Sequence, residues 1–326
     1  MVFITLAFGN MEYHFEKPQN WSEPVYDFTK NPLNPDVIRL GKTLFYDPIL
    51  SKDSTISCAS CHSPYNAFAH TDHDLSHGIR DQIGFRNAPA LFNLAWHENF
   101  MLDGAVNHLD MQALSPISNP QEMDESLLNI CNKLSVNERY RKLFDKAFGD
   151  SEISGERILK SLSQFQLTLV SANSKFDSVM RKEAHFSNQE QKGYELFKQH
   201  CNSCHTEPLF SNFKFADNGL AVDTTLNDIG RMKVSQNKND SLKFKIPSLR
   251  NLQYSYPYMH DGRFKKLSEV LNHYNRGIVQ RNGLAPELKN GINLSSNEKV
   301  DLIAFLLTLN DKNFVFNKEF GFPLLE

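Results

Sequence analysis

The sequence predicts a mainly α fold built from two similar lobes. Three observations carry that reading. Apolar residues recur at helical spacing in several segments, regular alternating strands are nearly absent, and one helix-plus-cysteine unit occurs twice. The first helical segment, 35–47, holds Gly41-Lys42-Thr43-Leu44-Phe45 and leads into Cys58. Residues 70–90 read as loop, punctuated by Gly78, Gly84 and Pro89. Helical patterns follow over about 124–148 and 154–182. The second unit opens on the capping box Ser187-x-x-Glu190 and holds Gly193-Tyr194-Glu195-Leu196-Phe197 before Cys201. Gly41 precedes Cys58 by 17 positions and Gly193 precedes Cys201 by 8, so the first copy carries an insertion. Residues 206–247 are polar and irregular, and the helical pattern resumes at about 266–276. A last helix, 296–309, starts at a second capping box, Ser295-x-x-Glu298, with the expected core stripe Val300, Ile303, Phe305, Leu306 and Leu309.

The chain has 326 residues, 40% hydrophobic and 22% charged, which is globular composition and a length suited to about two domains. Its 35 Lys+Arg against 38 Asp+Glu give a net charge of -3, so no basic excess points to nucleic acid. No stretch reaches the ~18 apolar residues of a membrane span. The short apolar run from Val2 to Phe8 has no Lys or Arg before it and reads as a weak or truncated signal.

Four of the five cysteines form two identical motifs, Cys58-Ala59-Ser60-Cys61-His62 and Cys201-Asn202-Ser203-Cys204-His205. C-x-x-C-H is the attachment signature for c-type haem, with chance supplying only roughly 0.003 such matches in a chain of this composition. The thiols add across the porphyrin vinyl groups, and the adjacent His becomes the proximal iron ligand. A Cys₄ zinc site gives no reason for a His after each pair, and a thioredoxin-like motif needs a βαβ context that is not visible. The expectation is therefore two cytochrome c-like domains, each with one covalently attached haem. Cys131, in the periodic segment LLNICNKL, is expected to be a buried structural thiol.

With Arg86-Asn87-Ala88-Pro89 after the first motif and Tyr258-Met259-His260-Asp261-Gly262 after the second, the chain resembles the bacterial di-haem cytochrome c peroxidase/MauG family over roughly residues 33–310. The resemblance implies a peroxidatic first haem on His62 and an electron-relaying second haem on His205. It implies Glu122 as the acid–base and Gln112 as the residue orienting peroxide. At the position where classical members carry a capping His stands Ile79, with His77 two residues away, which favours an open first haem as in the MauG branch. His70, His73 and His77 read either as solvated loop histidines or as a surface metal site.

At the second haem's sixth-ligand position the resemblance places Tyr274, again as in the MauG branch, with His273 and Met259 as the competing donors. A phenolate favours the more oxidised iron. Between the haems it implies a calcium ion on the Asn87 side chain and the Ser255 and Pro257 carbonyls, and His260 on a haem propionate. One departure stands out: Leu102 occupies the place of the family's inter-haem Trp, so electrons would tunnel directly or use Trp96 or Tyr258.

The expected function is reduction of hydrogen peroxide with electrons from a small redox protein, a cytochrome c or a cupredoxin. The alternatives are a MauG-type enzyme oxidising Tyr or Trp side chains of a partner protein, and a non-enzymatic di-haem electron carrier. The expected location is the periplasm, where c-type haem is attached; a homodimer is allowed. The expected divisions are 1–30 as signal or extension, 31–183 as the peroxidatic domain and 184–326 as the electron-transfer domain.

Overall fold

The computed structural model describes residues 13–323, so the run from Val2 to Phe8 lies outside the described residues. In chain order the helices are α1 (Pro35–Tyr46), the single turn α2 (Cys58–Cys61), α3 (Leu109–Gln112), α4 (Leu114–Ser118), α5 (Leu127–Ser135), α6 (Glu138–Phe148) and α7 (Gly155–Leu167). There follow α8 (Lys175–Met180), α9 (Asn188–His200), α10 (Met232–Ser235), α11 (Leu267–Asn272), α12 (Ser296–Leu307) and α13 (Lys312–Val315). Strand content among the described residues is slight: β1 (Phe215–Ala216) pairs antiparallel with β2 (Phe244–Lys245), Phe215 opposite Lys245. The mainly helical expectation holds. Among the described residues no helix is long and apolar enough to cross a membrane.

Two helix crossings organise the chain, and each is made at one of the duplicated glycines. A Cβ on Gly41 of α1 would lie 1.8 Å from the Ser161 carbonyl oxygen on α7, and one on Gly193 of α9 would lie 2.0 Å from that of Asp301 on α12. Only a residue without a side chain lets the helix backbones approach this closely. One turn further on, Phe45 meets Phe165 with ring centroids 5.2 Å apart, and Phe197 meets Phe305 at 5.1 Å. Hydrophobic residues accordingly gather in two cores. One is built around Leu40, Phe45, Leu162 and Phe165, the other around Phe176, Phe197, Leu302 and Phe305. Helix α13 returns to the first core through Phe314 and Val315.

Local chemistry sets the helix ends. Asn34 caps α1 by accepting from the N–H groups of Asp36 and Val37, with Pro35 at the first helical position. Both expected capping boxes, Ser187/Glu190 on α9 and Ser295/Glu298 on α12, are formed. Four expectations are corrected. The 124–148 pattern is two helices, because Asn137 accepts from the Arg139 N–H and starts α6 afresh. The 154–182 pattern is likewise two, α8 restarting at the Ser174/Asp177 capping box. In the last helix Val300 is 54% exposed, its place in the core taken by Leu302. Cys131 is only partly buried, on the rim of the first core.

The lobes are joined through a buried ion cluster. Arg86 donates to Asp228 at 2.6 and 2.8 Å and to Asp103 at 2.7 Å. Such a fork, with both carboxylates paired, is the geometry in which burying charge is tolerated.

Candidate functional site

The first cysteine pair spans the turn α2, which Ser57 and Ser60 cap reciprocally. His62 follows as its C-cap, its backbone N–H donating to the Cys58 carbonyl at 2.9 Å. The chain then reverses through Ala67 and Phe68, both in the left-handed region and fully buried, so that the Phe68 carbonyl meets His62 Nδ1 at 2.8 Å. The second motif repeats the device. Cys201 ends α9, and His205 Nδ1 lies 3.2 Å from the carbonyl of Phe210 and 3.1 Å from that of Pro247. Carbonyl partners require the proton on Nδ1, which leaves the Nε2 lone pair of both imidazoles for a metal.

Burial pushes the thiols of Cys58 and Cys201 up to about 12 and that of Cys61 up to about 11, and the imidazoles of His62 and His205 down to about 4. All six motif residues nevertheless keep accessible surface. Protonated thiols beside neutral imidazoles suit thioether attachment with His ligation. Among the described residues no group of three or more His, Cys, Asp or Glu is placed to hold a metal ion. That removes the Cys₄ zinc alternative. It also removes the metal reading of His70, His73 and His77, which instead stack ring on ring at 5.4 and 4.1 Å. A cavity of about 690 Å³ opens beside Cys204, walled by Phe215, Ile246, Leu284 and Pro286. The residues fit two covalently held haems.

Around the first motif, Cys61 Sγ donates to the His77 carbonyl at 3.4 Å, and Glu122 is near enough to raise the Cys61 thiol electrostatically. The Ile79 N–H donates to the Glu122 carbonyl at 2.8 Å, while Gly78 passes so close to Gln121 and Glu122 that a Cβ would lie 2.0 Å from the Gln121 carbonyl oxygen. Ile79 is buried. Burial raises the Glu122 carboxyl above its usual range, opposed by the Asn119 amide, which donates to Oε1 at 2.8 Å. Gln112, at the end of α3, is buried with Nε2 3.9 Å from Met101 Sδ. No hydrogen bond joins Gln112 to Glu122 among the described residues.

Tyr274 lies in a π-helical turn, His273–Gly277, that continues α11. Its phenol is close enough to Cys201 and Cys204 to interact with both thiols, and burial pushes it up to about 12. Asn218 gathers all three candidate donors: its side chain pairs with the Tyr274 phenol, His273 Nε2 donates to its carbonyl at 3.0 Å, and Met259 Sδ accepts from its Nδ2 at 3.4 Å.

Between the lobes the Asn87 N–H donates to the His260 carbonyl at 2.7 Å, and Asn87 Nδ2 lies 2.6 Å from the Pro257 carbonyl oxygen. Asn87 Oδ1 is buried without a partner. His260 stacks on Phe244 at 3.9 Å. Trp96 lies in the first core, donating to the Ser22 carbonyl, whereas Tyr258 stands in the inter-lobe segment, its phenol donating to the Leu252 carbonyl. Leu102, at the position of the family's Trp, accepts the Lys245 N–H at 2.7 Å.

The duplication runs further than the sequence reading recognised. Pro89-Ala90-Leu91-Phe92-Asn93 recurs as Pro247-Ser248-Leu249-Arg250-Asn251, and Phe100-Met101-Leu102-Asp103-Gly104 as Tyr258-Met259-His260-Asp261-Gly262, each 158 positions later. Asn93 and Asn251 share a buried left-handed turn, as do Met101 and Met259 a left-handed one. A search for internal spacing beyond the cysteine motifs finds this signal.

Two covalent haem sites in tandem on a helical scaffold define a di-haem cytochrome. Residues 35–185 match the family described as Di-haem cytochrome c peroxidase. The chain is 36% identical over 311 residues to the methylamine utilization protein MauG of Methylorubrum extorquens, covering 92% of this chain and 84% of that protein. It is 35% identical to the cytochrome c551 peroxidase of Nitrosomonas europaea, over 93% of this chain and 88% of the relative. A crystal structure of a MauG-like protein associated with microbial copper homeostasis superposes with a TM-score of 0.85 at 29% identity, covering 95% and 99% of the two chains. The chain belongs to the di-haem cytochrome c peroxidase/MauG family.

Proposed function

We propose that this protein is a peroxidase that reduces hydrogen peroxide to water with electrons from a small redox protein. The observation that carries the proposal is the asymmetry between two matched sites. Each motif offers an imidazole Nε2. The second also has the Tyr274 phenol in electrostatic reach of its cysteine pair, whereas the first has the carboxyl of Glu122 in reach of Cys61, with buried Ile79 bonded to the Glu122 backbone.

When bound, the haems would supply iron that accepts peroxide and passes electrons; Cys58, Cys61 and His62 would hold the first, and Cys201, Cys204, His205 and Tyr274 the second. Glu122 takes a proton from one peroxide oxygen and delivers it to the other, so that water rather than hydroxide leaves. Its raised carboxyl suits a group that must both accept and return that proton. Gln112 orients the peroxide by hydrogen bonding. Two electrons and two protons then complete the balance of one peroxide to two waters.

His260 is assigned to a haem propionate, and a calcium ion to Asn87 with the Ser255 and Pro257 carbonyls. The unpartnered Asn87 Oδ1 supports the calcium site, because it is a buried oxygen without a donor on a side chain that also reaches the Pro257 carbonyl, and such oxygens suit a hard cation. The proposal divides the haems between residues 31–183 and 184–326, with α8 packing into the second core and α13 into the first, and places the protein in the periplasm. Tyr274 favours a second reading, oxidation of Tyr or Trp side chains on a partner protein. Stopped-flow kinetics with peroxide and reduced cytochrome c or cupredoxin separate the two. Rapid multiple turnover of the donor supports the peroxidase, and slow donor turnover with modification of a protein substrate supports the second.

A further inference from the structure

We propose that Lys245 is the cation that holds a haem propionate at the contact between the two lobes, an inference that rests on the di-haem reading above. Lys245 lies in β2, and its backbone N–H on the Leu102 carbonyl presses it against the first lobe's Phe100–Gly104 turn. Its ammonium donates to the Asn99 carbonyl at 2.8 Å and lies 3.4 Å from His97 Nδ1. These partners occupy two of an ammonium's three N–H donors, and neither carries negative charge. The His97 ring packs on Phe213 with centroids 4.0 Å apart, and burial keeps it neutral.

A carboxylate whose charge reaches Lys245 is Asp103, but Arg86 already binds it at 2.7 Å. Burial pushes the Lys245 ammonium down to about 8 in spite of that charge. A buried cation is tolerated when it is paired, and apart from the face of the Phe100 ring 5.9 Å away the side chains around this one supply it no free counter-charge.

The surroundings identify the missing anion. Beside Lys245 in sequence, Phe244 and Pro247 touch His260 and His205, and Ile246 lines the cavity beside Cys204. The carboxylates that such a site brings with it are the porphyrin propionates.

The test uses holoprotein matured in a cytochrome-competent host, with Lys245→Met, Lys245→Gln and Lys245→Arg. Haem per chain is measured as the pyridine haemochromogen, and each haem is titrated spectroelectrochemically. Removing the positive charge in the Met and Gln variants is expected to lower the ferrous/ferric ratio of one haem at least tenfold at fixed potential, which is 59 mV for a one-electron couple. Lys245→Arg is expected to stay within threefold of wild type. Unchanged potentials in both neutral variants, with full haem content, overturn the assignment. So does a wild-type potential that follows added phosphate at constant ionic strength, since the anion is then a free one. Wild-type protein without covalent haem overturns the di-haem reading instead.

Discussion

The Ile79 N–H donates to the Glu122 carbonyl at 2.8 Å, so an apolar residue and a carboxylate that acts on the Cys61 thiol are fixed on one scaffold. Together with the close approach of Gly78, this bond sets where the Glu122 carboxyl stands relative to the first haem motif.

Glu122→Gln is expected to slow peroxide consumption by about 10²–10⁴-fold with haem content unchanged. Glu122 must be ionised to accept the first proton, and burial raises it above the usual carboxyl range. The wild-type rate therefore falls as pH drops through that raised value, and the limb disappears in the Gln variant. A pH profile of kcat/KM for both proteins checks this.

Tyr274→Phe is expected to alter the absorption spectrum and potential of the second haem and to leave the first haem's signal in place. His273→Gln is expected to have no comparable spectral effect, because His273 Nε2 is bound to the Asn218 carbonyl. Electron paramagnetic resonance of the two variants decides the ligand.

Gly41→Ala and Gly193→Ala are each expected to cost about 3 kcal/mol or more, the upper end of overpacking, since the added Cβ meets backbone oxygen and not a movable side chain. Gly149→Ala is the control. Its φ of +81° carries the left-handed penalty of about 1–2 kcal/mol, but nothing lies within 4 Å. Thermal unfolding of the three holoproteins separates crowding from backbone strain.

Arg250, fully buried, donates to Asp177 at 2.8 and 2.7 Å and to the Pro208 carbonyl. Arg250→Met is expected to destabilise by about 3–5 kcal/mol, since it strands a buried carboxylate. Burial alone would raise Asp177, but Arg250 and Ser174 outweigh it and hold the carboxyl below its usual value. The stability contribution is thus present at neutral pH and lost as pH falls through that lowered value. Melting temperatures from pH 7 to 3 are expected to fall less steeply in Asp177→Asn than in wild type.

The parts of the site fixed by covalent or steric necessity were legible in the sequence. Both C-x-x-C-H motifs stand out because the chemistry allows no other spacing, and Gly41 and Gly193 because two backbones must touch there. Helix breaks at Asn137 and Ser174 were hidden inside continuous apolar periodicity, which reports a face and not where the chain restarts. Val300 was misplaced for the same reason: on a helix with apolar residues at successive positions, periodicity does not choose between Val300 and Leu302. Lys245 carried no signal at all, since a lone Lys in a polar segment reads as surface until the fold folds it between two lobes.

The most direct test of two tethered haems with one open iron is the electron paramagnetic resonance spectrum of the resting ferric holoprotein. One high-spin and one low-spin signal of comparable intensity are expected. Two low-spin signals in the resting ferric protein, with no high-spin signal appearing when one haem is reduced, contradict a peroxide-binding first haem.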